Sequence, residues 1–203
     1  MTAKIKLNAA SGGGSFSLQA PSSSANTRVM TLPDTADGTI LTTTNPKSGN
    51  ILQVVSSHKV DGFTTTSSSF VDITGMSRTI TPTAASSKIH ITLHLHVGTA
   101  DASYAAFNVL RGSTILTQGT YGTGNMTNCS FGTYGHATNY TQVLAFTFLD
   151  SPSYSVGDTL TYKIQVASKY SSREICINRT SNGSDQTYTL CGTSTITLEE
   201  VAA

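Results

Sequence analysis

The sequence predicts an all-β chain, with most of its length in one antiparallel β-sandwich. Three observations predict it. Short runs that alternate apolar and polar residues recur at intervals of about 8–12 residues, separated by Gly, Pro, Asn, Asp and Ser clusters, as in sandwiches and barrels. No window carries the 3.6-residue period of an amphipathic helix. Composition agrees: charged residues make up only 11%, against roughly 25% in ordinary soluble domains, and Ser (27) plus Thr (34) fill 61 of the 203 positions.

Residues 1–47 read as a separate attachment or shaft segment. Lys4–Leu7 is a short strand, the triple glycine Gly12–Gly14 a turn, and Ser15–Gln19 a second alternating run. Thr27–Pro33, the turn Asp34–Gly38 and Thr39–Thr44 complete it. Its large apolar residues are Ile5, Leu7, Phe16, Leu18, Val29, Met30, Leu32, Ile40 and Leu41. So few cannot bury enough surface for independent folding, so the segment calls for partner chains or a docking surface. Asn45–Asn50 reads as a linker.

Residues 48–203 form the head domain. Its expected strands are Ile51–Ser57, Ser69–Thr74, Arg78–Thr81, Lys88–Val97, Ala105–Arg111, Thr114–Gln118, Thr141–Leu149, Leu160–Ala167, Glu174–Asn178, Thr187–Cys191 and Thr195–Val201. The clearest run is Ser87–Val97. Ile89, Ile91, Leu93, Leu95 and Val97 share one parity, and His90, Thr92, His94 and His96 the other, so one face is apolar and one is studded with histidine. Thr141–Leu149 is apolar at both parities, which points to a second layer or a neighbouring subunit.

Charge and targeting signals narrow the function. The net charge is +1 with no basic run, against the clustered Lys and Arg that phosphate binding needs. No apolar stretch approaches about 18 residues, so no membrane insertion is expected. The opening residues carry no signal-peptide pattern, so synthesis and folding in a cytoplasm are expected. Three cysteines, Cys129, Cys176 and Cys191, are an odd count without a CxxC, and read as reduced structural thiols. Asn125, Asn128, Asn139, Asn178 and Asn182 start Asn-x-Ser/Thr triplets, which a Ser/Thr-rich chain produces by chance.

No enzymatic constellation emerges. Glycan hydrolysis needs two carboxylates at defined separation, and Asp34, Asp37, Asp101, Asp150, Asp158 and Asp185 sit in turn-like contexts. Glu199 and Glu200 point to opposite faces of a strand end. A Gly-x-Ser-x-Gly elbow is missing, and neither glycine cluster opens a helix. The chain reads as a non-enzyme without a cofactor.

Two groups of residues stand out as candidates for binding. His94 and His96 project from one strand face roughly 7 Å apart. In a three-fold assembly they would offer six imidazoles, a set suited to an octahedral transition metal; alternatively they simply hydrogen-bond on a solvated or inter-subunit face. The loop Thr117–Tyr140 mixes four Tyr or Phe with five Gly, a composition of adaptable binding loops in which rings give contact area at small entropic cost. Tyr121, Tyr134, His136 and Tyr140 are its candidate receptor contacts; the alternative is that the loop packs between subunits. A second polar loop, Ser168–Arg173, carries Lys169, Tyr170 and Arg173.

The opening Lys4–Pro21 with Thr31-Leu-Pro-Asp34 and Gly38-Thr-Ile40, then Ser86–Ile89, Val109–Thr114, Phe148–Pro152 and Ile177–Arg179, and the closing Ser194–Ala203, resemble tail-fibre-like proteins of marine and cyanobacterial phages. These matches extend over most of the chain. The resemblance implies a virion fibre whose jelly-roll-like C-terminal domain forms a homotrimer and adsorbs to a host surface glycan or protein. It implies that residues 1–47 dock to other tail or baseplate proteins, and it implies no catalytic residues. A purely structural virion part, such as a head fibre, decoration protein or adaptor, has the same composition.

Overall fold

The structure is a computed structural model that describes residues 4–19, 22–25, 27, 46–170, 173–183 and 186–203. The chain divides into two compact units, Met1–Ile40 and Leu41–Ala203. The expected apolar positions Val29, Met30, Leu32, Ile40 and Leu41 and the turn Asp34–Gly38 lie outside the described residues.

In the first unit, β1 (Lys4–Asn8) pairs antiparallel with β2 (Ser15–Gln19), in register from Lys4↔Gln19 to Asn8↔Ser15. Gly12 (φ 83°) and Gly13 (φ 70°) take the left-handed conformation that closes the turn. Ile5, Leu7 and Leu18 are exposed.

The second unit is an antiparallel sandwich. Its strands are β3 (Ile51–Lys59), β4 (Phe63–Thr65), β5 (Val71–Ile80), β6 (Lys88–Thr99), β7 (Tyr104–Arg111), β8 (Thr114–Ile115), β9 (Phe131–Tyr134), β10 (Thr141–Asp150), β11 (Leu160–Ser168), β12 (Ile175–Ile177) and β13 (Ser194–Val201). One sheet has the order β3-β13-β6-β12-β4, with β10 on the other side of β6; the second has the order β5-β11-β7-β8, with β9 also on β7. β6 is the organising strand. It pairs with β10 along one side, and along the other first with β13 and then with β12.

The parity of β6 decides the core. Ile89, Ile91, Leu93, Leu95 and Val97 are all at most 1% exposed, each contributing about 1.5–3 kcal/mol by burial. Against them pack Ile73, Met76 and Ile80 of β5, Phe107 and Val109 of β7, and Tyr162, Ile164 and Val166 of β11. Phe107 stacks on Phe131 (5.0 Å), which stacks on Phe146 (5.2 Å), carrying the core toward the β10 side.

Several elements differ from expectation. Ser69–Thr74 and Arg78–Thr81 are one strand, β5, whose register with β11 shifts next to Gly75 (φ 84°). A Cβ at Gly75 would make only ordinary contact with the Lys59 stem beside it, so the left-handed φ, not lack of space, calls for glycine. Thr187–Cys191 is no strand; only Cys191 bridges to Arg179. β4 and β9, three and four residues long, are too short for alternation to reveal. In β10 the inner residues Leu144, Phe146 and Phe148 are half-buried and the outer Val143, Ala145 and Leu149 exposed, because β10 is an edge strand. Asp150, expected in a turn, is the buried end of β10; it accepts hydrogen bonds from Arg111 and from the Tyr162 hydroxyl (2.7 Å). Cys176 is buried and Cys191 exposed, and all three cysteines are free.

Candidate functional site: an aromatic platform beside a groove

The candidate site lies on the outer face of the second sheet, where β7 meets β9. Phe107↔Phe131 and Ala105↔Thr133 face inward, so Tyr104↔Tyr134 and Ala106↔Gly132 face outward. The register therefore sets two tyrosines side by side outside the core. Their ring centroids lie 4.7 Å apart at 49°. Tyr170, from the loop after β11, meets Tyr104 edge-on at 6.0 Å, and His136 meets Tyr134 edge-on at 4.9 Å. Tilted and edge-on arrangements at these separations are the attractive ones for rings. The rings support one another while Tyr104 and Tyr170 stay half exposed.

Beside the platform runs an open groove of about 590 Å³, lined by Tyr104, Ala106, Met126, Thr127, Cys129 and Lys169 among others. Its floor is strand and its wall is loop. Gly132 sits where a side chain would press on the Ala105 carbonyl and approach Cys129, so glycine keeps the floor open. The wall is tied down. Gln118 Nε2 donates to Asn108 Oδ1 (3.2 Å), Ser130 Oγ donates to the Thr117 carbonyl (2.6 Å), and the Gly122 amide donates to Asn128 Oδ1 (3.0 Å). Lys169 Nζ donates to the Ser68 carbonyl (2.6 Å) and stands 4.7 Å from the Phe70 ring centre, which holds a cation at the rim. The volume falls within the range of small-ligand sites, roughly 300–1,000 Å³, with polar groups from Asn125 and Thr127.

The four loop residues expected as contacts divide into two sets. Tyr134 and His136 come together in the platform. Tyr121 (84% exposed) and Tyr140 are exposed but take no part in these ring contacts. Tyr104 was not singled out by the sequence, and Tyr170 appeared only as part of a polar loop. The missed signal is Tyr104 itself, a large aromatic on the outward parity of a strand whose inward parity is already filled by Ala105, Phe107 and Val109.

His94 and His96 both stand on the outer face of β6, opposite Ala145 and Val143 of β10. His94 is exposed. The His96 ring packs against Gly192, its Nδ1 is buried without a partner, and burial lowers its pKa, favouring the neutral imidazole. Among the described residues, no group of three or more His, Cys, Asp or Glu in one chain could hold a metal ion. His90, on the same face, links Glu199 at Nδ1 and Thr147 at Nε2, both at 2.8 Å. This hydroxyl–imidazole–carboxylate order lies across the flat faces of three adjacent strands.

No protein-family model and no curated protein matches the chain. Among solved structures, it is similar to a chain in the structure of the infectious bursal disease virus Gx strain, with 14% identity and a TM-score of 0.40 over 87% of this chain and 43% of that one. A chain of the Gt strain gives 12% identity and a TM-score of 0.39 over 94% and 48%. This chain spans less than half the length of either.

Proposed function

We propose that the chain is a non-enzymatic structural subunit of a phage virion appendage, a trimeric tail fibre or tip, and that it adsorbs to a glycan on the host surface. The observation that carries the binding half is the platform of Tyr104, Tyr134, Tyr170 and His136 beside an open groove. Rings held by one another bind at small entropic cost. They offer flat apolar faces to the C–H side of a sugar ring, while Asn125 and Thr127 can meet its hydroxyls. The likeness of the opening and closing segments to phage fibre sequences supports the virion half. One shallow site binds weakly, and three copies per fibre would multiply that affinity without new contacts.

A purely structural role in the virion is the second reading. The exposed Ile5, Leu7 and Leu18 favour it, because an isolated two-stranded hairpin is at best marginally stable and needs covering. Blocking of adsorption separates the two. Excess full-length protein, added to host cells before phage, is expected to reduce adsorption at least tenfold, and the Tyr104→Ala/Tyr134→Ala variant is expected to lose this effect. Unchanged adsorption at saturating wild-type protein leaves the structural role standing and overturns the receptor-binding one.

A further inference from the structure

Sheet edges in soluble proteins are protected, because a row of unpaired N–H and C=O groups pairs with other chains. The usual devices are short strands, bulges, charges and proline. In the sandwich, β4, β8 and β9 are short, at three, two and four residues. β5 has a register shift near Gly75, and β3 shifts register opposite Glu200/Val201. β3 is also tied across to β5 and the residue after it: Ser57 Oγ donates to the Ser77 carbonyl (3.2 Å) and Gln53 Nε2 to the Thr81 carbonyl (2.7 Å).

β10 has none of these devices. It runs in continuous register with β6 from Thr141↔Gly98 to Asp150↔Ile89, and among the described residues only β6 pairs with it. Thr141–Leu149 contains no charged residue, proline or glycine. Ten residues at about 3.4 Å each make an open edge about 34 Å long. Apolar groups flank it on both sides: Val143 (63%) and Leu149 (47%) on the outer face, and half-buried Leu144, Phe146 and Phe148 on the inner.

The outer face continues from this edge across the sheet. Its rows read Leu149–His90–Glu199–Val54, Thr147–Thr92–Thr197–Ser56 and Ala145–His94–Thr195–His58. Among the outward residues of β10, β6, β13 and β3, Lys88 and Glu199 are the only Lys, Arg, Asp or Glu, one of each sign, and Glu199 already has His90 as its partner; the Glu174–Arg179 ion pair stands beyond them, toward β12, where the Arg179–Thr180 backbone covers Gly98. The second sheet's outer face differs. There Asp72 accepts from Lys163 (2.8 Å) and Gln165 (2.8 Å), an arrangement suited to water.

We infer that the open β10 edge and the adjoining outer face of β6 are the seat of a second copy of this chain, and thus the subunit interface of the appendage. The inference rests on the assembly half of the proposed function. The occupant follows from charge. A balanced face of hydroxyl, imidazole and aliphatic groups has nothing to attract an acidic or basic partner, and it is compatible with its own kind. The β1–β2 hairpin, with Ile5, Leu7 and Leu18 exposed, is a second part of the same chain that also needs covering.

The test is sedimentation of the full-length protein at micromolar concentration. Wild type is expected at three times the 21.3 kDa chain mass. Val143→Lys/Ala145→Lys places two charges on exposed outer-face positions that hold no side-chain hydrogen bond. It is expected to weaken association at least tenfold and to sediment as a monomer, with an unchanged circular dichroism spectrum. Ser77→Lys, on the other sheet, is expected to leave the assembly intact. Hydrogen exchange on unmutated protein is the independent readout, and amides of 141–149 are expected to gain protection as concentration rises. An assembled double variant, with exchange at 141–149 independent of concentration, overturns this interface while leaving the trimer standing. A wild-type monomer overturns the trimer and the interface together.

Discussion

The Tyr104 and Tyr134 rings lie 4.7 Å apart because their two strands are paired in register, Tyr104 directly opposite Tyr134. Each ring also supports a second one, Tyr170 or His136. Cutting either tyrosine therefore frees a neighbour as well as removing a contact surface. Tyr104→Ala and Tyr134→Ala are each expected to weaken binding of host surface polysaccharide at least tenfold, measured by calorimetry. Tyr121→Ala and Tyr140→Ala are expected to change it less than threefold. Equal losses at all four positions would show that the loop as a whole, and not the platform, makes the contact.

Gly135 is buried beside β9, where a methyl group would overlap the Thr99 side chain and the Ala100 carbonyl. The carbonyl is backbone and cannot turn away. Gly135→Ala is expected to cost about 1–3 kcal/mol. Gly119→Ala, in open space on the loop, should be close to neutral. Denaturant midpoints of the two variants check this.

Glu200 is a buried carboxylate that accepts from the amides of Thr83 (2.9 Å) and Ala84 (3.0 Å), and from Gln53 Nε2 (2.7 Å). Burial would raise its pKa, but these bonds outweigh burial and the pKa is lowered below 4.5. A lowered native pKa favours folding above the unfolded value, and that contribution is lost as pH falls through the native one. Stability is expected to decline below about pH 4.5, and Glu200→Gln should flatten the decline while costing about 2–4 kcal/mol at pH 7. Thermal melts from pH 3 to 7 measure both.

Burial, with a smaller contribution from Glu174, pushes the Cys176 thiol up to about 12, whereas Cys191 is exposed. Since the thiolate is the reactive form, iodoacetamide on native protein at pH 8 is expected to label Cys191 first and leave Cys176 unmodified until unfolding. Peptide mass mapping distinguishes the order.

What the sequence determined by itself is the part written in parity. Ile89 to Val97 name the core face of β6, and the histidines the opposite face, because a strand sends alternate side chains to alternate sides. The alternation within Leu160–Ala167 and Thr195–Val201 likewise puts Tyr162, Ile164 and Val166 on one face, and Ile196 and Leu198 on one face. The gathering of Tyr134 and His136 with Tyr104 and Tyr170 was not legible in this way. Tyr104 and Tyr170 reach the site from β7 and the loop after β11, and only the registers of β7 with β9 and β11 bring them together. The edge position of β10 was equally hidden, since its two apolar parities point alike to a second layer or to a neighbouring subunit. Alternation reports which side chains share a face. Which strand ends a sheet, and so leaves its apolar residues and its backbone edge uncovered, depends on long-range pairing that only the tertiary structure decides.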